Sequence, residues 1–393
     1  MNTTGSGFRA DEASTLRAAT RMADVRPIWH ATGRADALLG LGRRQLLHAG
    51  PPVRTPSALT QPLLNAACAA LLFEGEAADP AEARRLIVSG EVRLRPAQDL
   101  DVVTPLAAVV SPSMWLHAVA DVEDASLVAY SPLNEGAGPA QRFGCLNAEV
   151  VERLAFVHRV IGPAIAAAKF AAVDLLELAL QGLNRGDELH ARVGVGSMLL
   201  AERLRGHGYS SEVTDFLAGN THGFLNPWMA ACRCMMAAAG RRQEGQLLIA
   251  AGGNGMDFGI QLASAPGQWL SAPAEVPEGP PMSPELASRP RLAAIGDSAV
   301  IDAVGFGALA LDAAPEHAAI LDPALVEAMN RVSETLLSVT HPVLNRPVGV
   351  NAARVTASTL PGVCLAALDA QGERGLIGLG LARHPSALYA NAG

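Results

Sequence analysis

Aromatic side chains make up only 4% of this 393-residue chain, and charged ones only 17%. A core must therefore be assembled from Ala, Leu, Val and Ile, and an apolar share of 50% argues against extensive disorder. The net charge of −8 argues against nucleic-acid binding, which needs a clustered basic surface. A small anionic substrate stays compatible with it, because a few placed arginines suffice whatever the global charge. Cysteine is scarce and odd in number: Cys68, Cys145, Cys232, Cys234 and Cys364. With no secretory leader at the polar N-terminus, a disulfide framework is not expected, and a reducing, cytoplasmic setting is. Cys232 and Cys234 are one residue apart, not the two of a redox or zinc pair, so they read as buried apolar cysteines. No long apolar run is free of charge. The best membrane candidate, Ile161 to Leu180, contains Lys169, Asp174 and Glu177 and reads as a buried or amphipathic helix. A Walker loop, dinucleotide fingerprint, nucleophile elbow, zincin helix and kinase signature set are all missing, so no cofactor and no metal are expected.

What is present is a mixed pattern long enough for two or three domains. Short apolar runs such as Ala107 to Val110 and Leu127 to Tyr130 end in Ser-Pro turns and read as strands. Leu63 to Glu74 and Pro80 to Ser89 read as helices, the second opened by Asp79-Pro80. Helices are also expected over Glu149 to Val160, over Ala164 to Leu183, after Asn184, and over Trp228 to Ala239. Leu247 to Ala251 and Arg291 to Ile295 read as strands, and Pro273 to Pro290 as an exposed loop. The expected organisation is α/β, with two mixed α/β domains and a small helical insert. It comprises a flexible tail or loosely docked helix over 1–23, an α/β domain over 24–147, a helical module over 148–207 and an α/β domain over 208–393.

In so apolar a chain, polar clusters between Gly and Pro are the informative places. His48 precedes Gly50-Pro51-Pro52 at the end of a strand-like run. Asn134, Glu135 and Arg142 lie in loops after strands, where α/β folds place ligands, although Glu135 and Arg142 also fit a surface ion pair. The densest cluster is Arg185-Gly186-Asp187-Glu188-Leu189-His190-Ala191-Arg192. Read as a helix, it sets Arg185, Glu188 and Arg192 near one face, either an anion site or a solvated ion-paired face. Asp187, Glu188 and His190 match no strong metal spacing. Asn220, His222 and Asn226 sit in a Gly-bounded turn, and amides of this kind suit a ureide or carboxamide as well as plain turn chemistry. Asn254-Gly255 and Gly296-Asp297 are glycine turns whose backbone N–H groups can hold anionic oxygens.

In order along the chain, LLHAGPP, AALLFEGEA, VVSPSMWL, LNEGAGPAQRFG, RGDELHAR, FLAGNTHGFLN, NGMDFGI, IGDSAV and RPVGVNAARV resemble the AllG (YlbE-like) family of oxamate carbamoyltransferase subunits. The resemblance runs from about Val25 to Ala382. It implies an α/β enzyme of ureide (allantoin) catabolism that exchanges a carbamoyl group between oxalurate and phosphate, giving oxamate and carbamoyl phosphate. It also implies FdrA-like and AllH-like partner subunits; a homo-oligomer is expected as well. Three positions depart from the pattern: Gly253 where an Arg is expected, Thr221 in place of an acid, and Asn351 in place of an Asp.

Carbamoyl transfer develops negative charge on oxygen and needs donors, cations and an acid/base. Arg185 and Arg192 are expected to clamp the anion, helped by amides around Gly255 and Gly296. His222 or His190 is the expected acid/base, with Glu188 beside them. Asn220, Asn226 and Asn254 would orient the amide, and His48, Asn134, Glu135, Arg142 and Asp297 would line the site. A C–N hydrolase and a non-catalytic subunit remain as alternatives.

Overall fold

The structure, a computed structural model, describes residues 12–168 and 170–390. Its central element is the helix Leu225–Gly240, made mostly of Ala, Met, Cys and Trp, with Asn226 and Arg233 as its polar residues. A helix with apolar residues on every side has to be enclosed, and Trp228, Met229, Cys232, Cys234, Met235 and Met236 are fully buried, while Arg233 pairs with Asp101 at 2.8 Å. It packs on strands of two four-stranded antiparallel sheets. The first runs Val128–Pro132, Trp115–Asp121, Pro27–Arg34, Val173–Asp174. The second runs Leu270–Pro273, Asp257–Leu262, Leu248–Asn254, Ile295–Gly296. A three-stranded sheet holds the parallel pair Gln45–His48 and Arg93–Pro96, with Val109–Val110 antiparallel on the other edge. Gly362–Leu368 and Leu376–Arg383 form a separate antiparallel pair. The fold is mixed α/β.

Residues 1–11 of the expected N-terminal tail lie outside the described residues. The remainder is the helix Glu12–Asp24, with Ala18, Ala19 and Met22 fully buried. It packs on Leu225–Gly240, and Arg17 and Arg21 both reach Glu244, at 2.7 and 2.8 Å. One apolar cluster extends from Ala18 to Tyr389 and so crosses the expected boundaries near 147 and 207. A second surrounds the helix Gln61–Glu74.

The helical stretch differs from expectation in two places. Ala164 to Leu183 is not one helix: Gly162–Ala167 is followed by the strand Val173–Asp174 and the helix Leu175–Leu183. Asp174 starts the last of these, accepting hydrogen bonds from Leu176 N and Glu177 N. The Arg185–Arg192 segment is not helical either. Gly186 and Leu189 take φ of 101° and 73°, which ends any helix. Asp187 instead accepts from Val195 N and Gly196 N, at the start of the helix Gly194–Arg203. Arg185, Glu188 and Arg192 therefore share no helix face.

The 273–290 excursion runs along the last hairpin, with bridges Glu278 to Leu381 and Pro281 to Gly378. This covers an otherwise unpaired strand edge. Among the described residues no helix is long and apolar enough to cross a membrane.

Candidate functional site

A cavity of about 130 Å³ lies where four polar segments of the chain meet the last hairpin. Its polar lining is Asn134, Arg142, His190, His222 and Ser298. Leu106, Phe143, Leu365 and Leu379 supply apolar walls, and Cys364 also faces it. A mostly apolar recess with a few convergent polar groups is the usual form of a small-ligand site.

His190 is held from behind. Its Nδ1 is 2.7 Å from Asp302 Oδ2, and both residues are buried. Asp302 sits in the helix Ala299–Val304, all of whose residues are buried, and its Oδ1 accepts from Ala308 N at 2.7 Å and Cys364 N at 3.1 Å. Burial works to lower the His190 pKa, but the charge and hydrogen bond of Asp302 outweigh it, and the imidazole is held above its ordinary value. With Nδ1 donating to Asp302, Nε2 has no hydrogen-bond partner among the described residues. That nitrogen is the one left to meet a ligand in the cavity.

Arg142 is fixed as firmly. Its Nη2 donates to Gly136 O at 2.6 Å, its Nη1 is 3.4 Å from Glu135 Oε2, and its guanidinium stacks 4.3 Å over Phe143. Burial pulls its pKa down from the usual value, partly countered by Glu135. Glu135 is engaged mainly by backbone, accepting from Gln141 N and Arg142 N at 2.6 and 3.1 Å. The expected surface ion pair is thus a buried brace that sets the guanidinium in the wall. Asn134 Nδ2 donates to Asn226 Oδ1 at 2.9 Å, and Asn226 Nδ2 donates to Pro132 O at 2.7 Å. Asn226 thereby positions Asn134 from outside the cavity. Asn220 does the same for the turn, its Oδ1 accepting from His222 N at 3.2 Å. His222 stands at the solvent-facing rim, and partial desolvation and the nearby Arg142 charge hold its pKa below the ordinary histidine value.

Other expected residues lie elsewhere. Arg185 and Arg192 line a separate open recess with Asp187 and Glu316, where Arg192 Nη1 is 3.6 Å from Glu316. Glu188 is fully buried and accepts from Ala191 N and Arg192 N at 2.6 and 2.8 Å. Asn254 holds its own turn, its Oδ1 accepting from Met256 N and Asp257 N, while Gly255 N donates to Ala294 O at 3.1 Å. That amide is spent. Gly296, at φ 125°, sits against the Leu106 backbone, and an added Cβ would lie 2.7 Å from Leu106 N. His48 is fully buried, with Nδ1 2.8 Å from Ala49 O, and burial lowers its pKa to about 4.

Asp297 ties these segments together. It accepts from Gly50 N, Gln98 Nε2, Thr104 N and Thr104 Oγ1 at 2.9, 2.6, 3.0 and 3.2 Å. Full burial raises its pKa from 3.8 to about 6, against the pull of those donors. A raised folded-state pKa means the native state holds the proton more tightly than the unfolded chain. The stability this confers is complete below about pH 4 and is lost as pH rises to about 6, a change of about 3 kcal/mol. Asp297→Asn should remove that slope. Denaturation midpoints of both proteins across this interval check it, and a slope kept in the variant would remove the assignment.

The profile of the family described as "Oxamate carbamoyltransferase subunit AllG" matches residues 92–298. The Oxamate carbamoyltransferase subunit AllG of Escherichia coli (strain K12) is 33% identical over 331 residues, 80% of this chain and 78% of that protein. This chain belongs to the AllG family. A second relative, the uncharacterized protein YahG of the same organism, is 30% identical and covers 97% of this chain and 84% of its own length. The crystal structure of a conserved protein of unknown function from Enterococcus faecalis V583 matches with a TM-score of 0.89 at 28% identity, covering 97% of this chain and 96% of that one.

The AllG match includes Asn134, Arg142, His190, His222 and Ser298 and stops short of Asp302 and Cys364. Of the three departures from the AllG pattern, only Thr221 adjoins the cavity, its Oγ1 3.1 Å from His222 Nδ1. Asn351 caps a short turn through Ala353 N, and Gly253 lies in a strand pair. Sequence reading missed Asp302, Ser298 and Cys364. The one available signal was an acid inside the otherwise apolar run Ala-Val-Ile-Asp-Ala-Val, since an unpaired charge is almost never fully buried.

Proposed function

We propose that this chain carries a carbamoyl-transfer site for a small oxamate- or ureide-type anion, exchanging the carbamoyl group with phosphate. The observation that carries the reading is the meeting of Asn134, Arg142, His190 and His222, from separate segments, in one cavity. Arg142 would neutralise the substrate carboxylate with a planar, pre-oriented donor pair. The Asn134 amide would hold the carbamoyl group, and Ser298 would donate to its oxygen as negative charge develops there. His190 Nε2 would take the proton from the attacking amine, or return it in the reverse direction, while Asp302 fixes the ring. The role expected for Arg185 and Arg192 passes to Arg142.

The test is a panel of oxamate-type and ureide anions, each with and without phosphate, followed by mass spectrometry. Arg142→Met should raise KM for the anion about ten- to a hundredfold, the worth of a buried charge-assisted hydrogen bond. Arg142→Lys should restore only part of it. A folded Arg142→Met protein with parental constants would overturn the role. Product formed without phosphate would mark a C–N hydrolase instead.

A second reading is favoured by the word "subunit" in the name of the Escherichia coli relative. On it, this chain completes an active site together with FdrA-like and AllH-like subunits. Turnover absent from the isolated chain and restored by adding those subunits would select it.

A further inference from the structure

Behind the cavity wall, Glu188, His317 and Cys364 bring their ligand atoms within 4.8 Å of one another, and all three residues are buried. We propose that these residues bind one zinc ion, with the fourth coordination position facing the cavity. Four observations support it, independently of which reaction the cavity performs.

The donor set combines a carboxylate oxygen, an imidazole nitrogen and a sulfur, the ligand types that select zinc over magnesium or calcium. His317 is 1% exposed, yet neither ring nitrogen makes a hydrogen bond. Its Nδ1 lies 3.2 Å from Glu188 Oε1 without hydrogen-bond geometry, and its Nε2 has no polar partner. A buried imidazole with both nitrogens unsatisfied is costly unless an ion or water completes it. The other two ligands are held in place. Glu188 is oriented by Ala191 N and Arg192 N, and the Cys364 backbone N–H is tied to Asp302 Oδ1 at 3.1 Å. Such outer hydrogen bonds fix ligands in known metal sites. Finally, Cys364 lines the cavity, so three protein ligands would leave a position open to a small molecule, the arrangement of a catalytic rather than a structural zinc.

Binding requires the Cys364 thiol to release its proton to solvent while the His317 ring stays neutral. Sequence spacing hides the set, because His317 and Cys364 lie far along the chain from Glu188 and from each other. It also differs from the trio Asp187, Glu188, His190: Asp187 caps a helix and His190 pairs with Asp302.

The experiment titrates chelator-treated full-length protein with Co²⁺ alone and then with Zn²⁺. The expected result is one saturable equivalent of Co²⁺, visible tetrahedral bands and a thiolate-to-cobalt charge-transfer band in the near ultraviolet, all displaced by Zn²⁺. Cys364→Ser should abolish the charge-transfer band. His317→Gln, close in shape, should keep that band while weakening binding at least about tenfold, the scale on which even outer-shell changes act. Lack of a saturable equivalent, or binding and spectrum unchanged in His317→Gln, would overturn the site. Because the readout is binding, it stands whether or not carbamoyl transfer is detected.

Discussion

Asp302→Asn is expected to lower the turnover number of the proposed carbamoyl transfer by about 10²- to 10⁴-fold, the range a positioned acid/base contributes, with KM nearly unchanged. The substitution keeps shape and one oxygen, so Ala308 N and Cys364 N retain an acceptor. What changes is the atom 2.7 Å from His190 Nδ1, where a carboxylate oxygen becomes an N–H₂ group. An N–H₂ cannot accept the Nδ1 proton, so the ring turns to the tautomer that carries its proton on Nε2. His190 lines the cavity, and its Nε2 can then no longer receive a proton there. Asp302 acts through His190, as a positioning residue, so the split between kcat and KM is the diagnostic. A merely structural loss would lower both the amount of folded protein and its affinity. His190→Gln should cost a similar factor, and the double variant little more, since the two residues act as one unit. Additive losses, or an Asp302→Asn protein at full rate, would dismiss the dyad.

Gly253→Ala is expected to destabilise the protein by about 3 kcal/mol, the upper end of overpacking costs, or more. Gly253 pairs with Gly296 on one side and Phe258 on the other. A Cβ added there runs into the carbonyl oxygen and carbon of Ala294. These are backbone atoms, and no rotamer change moves them aside. To make room, the strand Ile295–Gly296 must leave its partner, which pulls at Asp297 and its bonds to Gly50, Gln98 and Thr104. A denaturant midpoint series measures this against Gly194→Ala. An added Cβ at Gly194 meets nothing within 4 Å, and the change should stay within about 0.5 kcal/mol. Equal midpoints for the two variants would contradict the close approach.

Much of the framework was legible in the residues. The helix Pro80–Val88 starts where Asp79 precedes proline, and Asp79 Oδ1 accepts from Glu82 N at 2.8 Å. The Ala, Met and Cys run became the enclosed helix Leu225–Gly240, with Cys232 and Cys234 as core. The ordered polar clusters carried the family. In such cases the deciding interaction lies within a few positions of the residue, or follows from side chains that cannot remain in water.

Only the tertiary structure decided which polar residues share a site. Arg185 and Arg192 looked like the anion clamp because a helix would have set them side by side, but Gly186 and Leu189 break that helix and send both to another recess. Arg142, which the sequence left open between lining the site and pairing with Glu135 at a surface, is buried in the cavity wall and braced by Glu135. Asp302 lies 112 positions from His190, and no period in the chain relates them. Side-chain pattern reports neighbours along an element. A buried charge finds its partner through the packing of distant elements, and that packing is a property of the folded chain alone.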